Sequence, residues 1–271
     1  MTRPASLGTS RAPRAVLASV LCTGTLLVTA ACSALELGTG DPRQDATTAS
    51  SSPARTRPAK PSAPASAAAA PALTDAQAQA ALISEADLGE PWVPTQGAAT
   101  WRDAFLKVRG AQPDCGRLME ALYADELLGA PARAAVGLDD LWDEAQLRHQ
   151  VTAQSPAEVD RALARLATLP QKCGRFRVTA ERGGALDVTV DEVALPPAGD
   201  ARQGLLVTVT AGGADDPVTL TLVAAAVRVG EDAFTVTGGG LGDVPPEAVD
   251  AAVQLGALRL AEVRRQGRVQ V

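Results

Sequence analysis

Asparagine is absent from this 271-residue chain, histidine occurs once, and serine occurs only twice after Ser66, at Ser84 and Ser155. Aromatic residues make up 3% of the chain. Each shortage excludes something. Without Asn there is no N-glycosylation acceptor. With His149 as the lone imidazole there is no His-rich metal site. A Ser–His hydrolase would have to recruit Ser84 or Ser155, and both stand at helix starts. A core so poor in aromatics must be built from aliphatic side chains, which the 46% hydrophobic content supplies. Positive charge is also short. A net charge of −6 and a pI near 4.9 argue against a nucleic-acid partner.

What is present begins with an address. Arg3, Arg11 and Arg14 form a basic start, and an apolar run follows from Ala15 to Ala31. It is too short and too rich in Thr and Ser for a membrane-spanning helix, and reads as a signal peptide over 1–31. The run ends Leu27-Val28-Thr29-Ala30-Ala31-Cys32, which resembles a lipobox, with Thr29 where Leu is usual. The thiol of Cys32 would then carry a lipid, and acyl chains would hold the protein on the outer face of the cell membrane. Residues 33–72 follow. Of these 40 residues, 30 are Ala, Pro, Ser, Thr or Gly and none is aromatic, so 32–72 reads as a lipidated Cys and a disordered tether.

Residues 73–271 read as one extracytoplasmic domain. It carries 28 acidic against 18 basic side chains, a net of −10 that gives no bulk attraction to anionic lipid. Thr74 with Gln77 is a capping box, Ser84 caps a short turn over 85–88, and 91–94 is extended. A helix is expected over 115–128. Ser155-Pro156-Ala157-Glu158 opens another, whose stripe of Val159, Ala162, Leu163, Leu166 and Leu169 runs up to Pro170 as its stop. Strands are expected at 133–139, 145–153, 175–181, 185–194, 203–211, 217–229 and 233–237, several joined by tight Gly turns. A long helix from Pro246 to about Arg265 closes the chain. The expected class is α+β: a single curved antiparallel sheet with helices packed on one face, framing a cleft.

Chemistry is thinly represented. Cys115 and Cys173 are the only cysteines of an exported domain, 58 residues apart, and read as a disulfide rather than a C-x-x-C redox pair. Closing that loop is worth about 4 kcal/mol in the chain-entropy model. Asp139, Asp140, Asp143 and Glu144 surround Trp142 without the spacing of a calcium loop, and no metal or cofactor site is expected. Gly238-Gly239-Gly240-Leu241-Gly242-Asp243 lacks the last Gly and the Lys of a phosphate cradle and reads as a plain connection.

The segment Leu82-Ile83-Ser84-Glu85-Ala86-Asp87-Leu88-Gly89 is similar to the "LLS…DLG" opening of the extracellular sensor domain of PknH-type serine/threonine receptor kinases, which also occurs on actinobacterial lipoproteins. Cys115 near a helix, a Leu147-to-Val151 strand, the Ser155/Glu158 helix and Cys173 follow in the family's order. The resemblance covers about 82–265 and implies a sheet with helices framing a V-shaped cleft. The chain lacks the family's second disulfide and Asn-rich strand.

The expectation is therefore a non-enzymatic, lipid-anchored domain that binds a small-molecule, lipid or cell-wall ligand in a cleft. Trp92, Trp101, Trp142, Arg148 and His149 are the cleft candidates. A module docking onto an envelope protein is the alternative. A hydrolase using carboxylates from the 139–144 cluster is the third reading.

Overall fold

The computed structural model describes residues 72–212, 217–241 and 246–269. The signal peptide, Cys32 and nearly all of the tether lie outside the described residues. The expected helix starts form as the side-chain chemistry dictates. Thr74 and Gln77 exchange hydrogen bonds of 2.9 and 3.2 Å at the start of α1 (Asp75–Ala80). Asp87 accepts from the Ser84 backbone N–H at 2.6 Å and secures α2 (Glu85–Leu88). Ser155 and Glu158 do the same for α5 (Pro156–Cys173). α5 passes through Pro170 instead of stopping there. The proline costs one hydrogen bond in the final turn, and that turn is held by buried Leu169 and by the Cys173–Cys115 disulfide.

Among the described residues, nine strands form one open antiparallel sheet in the order β1-β3-β4-β9-β8-β7-β6-β5-β2. They are β1 (Trp92–Pro94), β2 (Val108–Arg109), β3 (Ala134–Asp140), β4 (Gln146–Thr152), β5 (Arg175–Ala180), β6 (Ala185–Glu192), β7 (Ala201–Ala211), β8 (Val218–Val229) and β9 (Asp232–Gly240). The meander β5 to β9 was legible as a run of strands. β9 is longer than expected, because Gly238 to Gly240 continue its pairing with β4 and β8. The remaining helices are α3 (Trp101–Phe105), α4 (Pro113–Ala124) and α6 (Pro246–Val269). α3 and β2 are too short to show a periodicity and were not anticipated.

The α+β class and the single curved antiparallel sheet are as expected, but the helices cover both faces of the sheet rather than one. Successive strand residues point to opposite faces. On β8, Leu220, Leu222, Ala224 and Ala226 enter a core with α3, α4 and α5. Ala225 and Val227 enter a second core with α1 and α6. β8 is apolar at both parities, so it can be stable only when both faces are covered.

α6 comes unusually close to the sheet. A Cβ on Gly256 would stand 2.7 Å from His149 Nε2 and 2.9 Å from Phe234 Cε2, so only glycine fits at that crossing. Cys115 and Cys173 are bonded, with Cα atoms 5.5 Å apart, and tie α4 to the end of α5.

Candidate functional site

The five cleft candidates do not converge. Trp92 is 8% exposed and belongs to the core under α6, while Trp101 is 6% exposed and belongs to the core under α5. Arg148 and His149 are adjacent on β4 and therefore face opposite sides of the sheet. Trp142 is 73% exposed on the β3–β4 turn. The shared cleft fails because strand alternation separates Arg148 from His149 and because two of the three tryptophans are core residues.

His149 is wholly buried between α6 and the α1–α2 turn. Its Nδ1 accepts the Ile83 N–H at 3.4 Å, and Nε2 finds no hydrogen-bond partner among the described residues. Its ring meets Phe234 with centroids 5.2 Å apart. Burial, with the Arg259 charge adding to it, pushes the imidazole down to about 3, so it is neutral at physiological pH and sealed from any substrate.

Arg148 belongs to an ion network on the other face. Asp125 Oδ2 lies 2.8 Å from Arg148 Nε and Asp125 Oδ1 lies 2.8 Å from Arg102 Nη2. Arg102 also donates to the Leu122 and Tyr123 carbonyls, closing the C-terminus of α4. These charges join α3, α4 and β4, and their work is structural.

Two of the four acidic side chains of the 139–144 cluster are likewise engaged. Asp139 accepts hydrogen bonds from Thr95 and Gln146. Asp140 is 4% exposed and its Oδ1 accepts the Trp142 and Asp143 backbone N–H groups at 2.8 and 3.1 Å. Asp140 thus shapes the turn, while Asp139 ties β3 to β4 and to Thr95 beyond β1. Among the described residues no group of three or more His, Cys, Asp or Glu could hold a metal ion.

Two hollows flank α4. One, of about 310 Å³, lies between α4 and α5 over Leu118, Leu166 and Leu169, with Arg117 and Arg165 at its rim. The other, of about 570 Å³, lies between α4 and β2. Leu106, Val108 and Ala111 supply apolar walls, Tyr123 an aromatic one, and Lys107, Arg109, Glu120 and Glu181 polar groups. Lys107 Nζ sits 4.8 Å from the Tyr123 ring centre, and the Tyr123 hydroxyl donates to Asp103 at 3.0 Å. That hydroxyl first, and Lys107 second, hold the Asp103 carboxyl below its usual range.

No family model matches this chain, and no curated protein matches it. Among solved structures, it is similar to the crystal structure of the extracellular domain of PknH from Mycobacterium tuberculosis. The TM-score is 0.46 and the identity 16%, over 72% of this chain and 98% of that one.

Sequence reasoning missed the second hollow entirely. Its walls come from a two-residue strand and from the side of α4 turned away from the Leu stripe, and neither leaves a pattern. The one usable signal was Tyr123, the lone tyrosine of the chain, set among the polar residues of an amphipathic helix.

Proposed function

We propose that this is a non-enzymatic binding domain held outside the cell membrane by a lipid on Cys32, and that its ligand occupies the hollow between α4 and β2. The observation that supports the reading is the hollow itself. Its volume of about 570 Å³ falls in the range of small-molecule sites, and it combines apolar walls, one aromatic face and a few polar groups. Several groups that could instead have carried catalysis are engaged elsewhere: His149 is buried, Ser155 caps α5, and Cys115 and Cys173 are bonded. The ligand class that fits is a small molecule with an apolar body and hydrogen-bonding groups along one side.

Native mass spectrometry of the protein purified from its own host tests this. A bound small molecule is expected on the wild type and absent from Ala111→Trp, which fills the hollow. Identical spectra for the two proteins would contradict the assignment. For the anchor, Cys32→Ser is expected to move the protein from the membrane fraction to the medium, and unchanged retention would refute lipidation. Among the described residues no helix is long and apolar enough to provide another attachment by crossing a membrane.

A further inference from the structure

The geometry points to a second interaction surface, at the β3–β4 turn: Leu141, Trp142 and Leu241 form an apolar tip set in an acidic field, built to dock a protein surface of apolar side chains ringed by Lys and Arg. The tip goes beyond the hollow between α4 and β2, and either site can fail its test while the other passes.

The tip is exposed where exposure is costly. Leu141 is 66% exposed, Trp142 73% and Leu241 43%, three of the five exposed large hydrophobic residues among those described. They come together at one end of the sheet. β4 and β9 pair as far as Gln146 and Gly239, and Gly240 then lies against the base of the turn. A Cβ on Gly240 would stand 3.2 Å from Ala145 Cα and 3.4 Å from the Glu144 carbonyl oxygen. Leu241 is the next residue.

The tip is also pre-formed. Buried Asp140 holds the Trp142 and Asp143 N–H groups, its own N–H donates to the Ala145 carbonyl at 2.8 Å, and Glu144 takes a left-handed φ of 54°. A rigid aromatic on a fixed turn loses little freedom when it docks, which is how interface anchors reach high affinity.

Charge selects the occupant. Residues 89–94, 138–147 and 238–241, which form the turn and the strand ends beside it, contain no Lys or Arg. Glu90, Asp143 and Glu144 are exposed beside the apolar residues. An anionic bilayer would be repelled by this rim, and a second copy of the tip would bring acid against acid. A cationic, apolar protein surface satisfies both the carboxylates and the indole.

Trp142 reports its own binding, because Trp92 and Trp101 are buried and only Trp142 is open to an aqueous quencher. The probes are a short amphipathic peptide of Leu and Lys, its Leu/Glu counterpart, and neutral and anionic phospholipid vesicles. The Leu/Lys peptide is expected to blue-shift and shield Trp142, binding at least about tenfold tighter than the Leu/Glu peptide and weakening as salt rises. Trp142→Ser is expected to lose at least about tenfold in affinity, read by calorimetry, without a change in melting temperature. The double variant Asp143→Asn/Glu144→Gln should bind about fivefold more weakly at low salt with a flatter salt dependence. Removing the same two charges at Asp191 and Glu192, on β6 three strands from β9, should change little. Equal binding of both peptides, undiminished binding by Trp142→Ser, or equal losses from the two charge-removal pairs would overturn the proposal. Blue-shifting insertion into vesicles that matches the peptide response would overturn it in favour of a lipid surface.

Discussion

Lowering the pH from 7 to 4.5 should unfold this domain more easily, and one residue should account for it. His149 is the only histidine in the chain, so no other side chain has an ordinary pKa between 7 and about 5, and carboxylates held low in the fold, such as Glu158, add only at the bottom of the window. Its imidazole titrates near 6.5 in the unfolded chain and is pushed down to about 3 by burial in the fold. Below pH 6.5 the unfolded state therefore binds a proton that the folded state refuses. Its neutral burial costs nothing above pH 6.5, and stability is lost as pH falls from there toward 3, at about 1.36 kcal/mol per pH unit. At pH 4.5 the loss is about 2.7 kcal/mol, or about 5–10 °C in melting temperature for a domain of this size. The carboxylates held below their ordinary range, such as Asp87, lose their contribution only at lower pH. Thermal melts followed by circular dichroism at half-unit steps would measure the slope. His149→Leu should be less stable at pH 7 by about 1–3 kcal/mol, because the Ile83 N–H loses its acceptor. Its stability should nevertheless be flat between pH 6.5 and about 5.5. A flat wild-type profile, or a variant that keeps the wild-type slope, would refute the reasoning.

Two further perturbations test the packing. Gly256→Ala should destabilise the domain by about 1–2 kcal/mol in urea titrations despite the better helix propensity of Ala, because the new methyl meets His149 and Phe234; a gain in stability would show that α6 can retreat. The double variant Cys115→Ser/Cys173→Ser should lose up to about 4 kcal/mol, and non-reducing peptide mapping of the wild type should recover the 115–173 link; two free thiols would contradict the bond.

Much of the fold was legible because the signals are local. The capping boxes at Thr74 and Ser155 and the Gly turns at Gly183-Gly184 and Gly230 each act within a few residues, and each formed as read. What was not legible depends on long-range pairing. Nothing near Gln146–Thr152 says that this strand will pair with β9, 80 or more residues on. The two-sided burial of β8 was in principle visible in Leu220-Thr221-Leu222-Val223-Ala224-Ala225-Ala226-Val227, which is apolar at both parities over its second half. Helices on one face alone could not satisfy it.

The site was less legible than the fold. A tryptophan in a sequence with so few aromatics looks like a binding residue wherever it stands, and only burial separates Trp92 and Trp101 from Trp142. The β3–β4 turn could be read as a turn, but exposure of Leu141 could not, since a leucine before a tryptophan is usually core. The hollow between α4 and β2 depends on how α4 lies against β2, a relation that no local pattern encodes.

The central claim is that the domain carries a ligand against α4. Amide hydrogen exchange tests it most directly, on protein purified from its own host and compared with the same protein unfolded and refolded to strip what it carries. The account expects residues 106–123, which line most of the hollow, to lose protection on stripping while α6 and β7 to β9 remain unchanged. Identical exchange along 106–123 before and after stripping would contradict it.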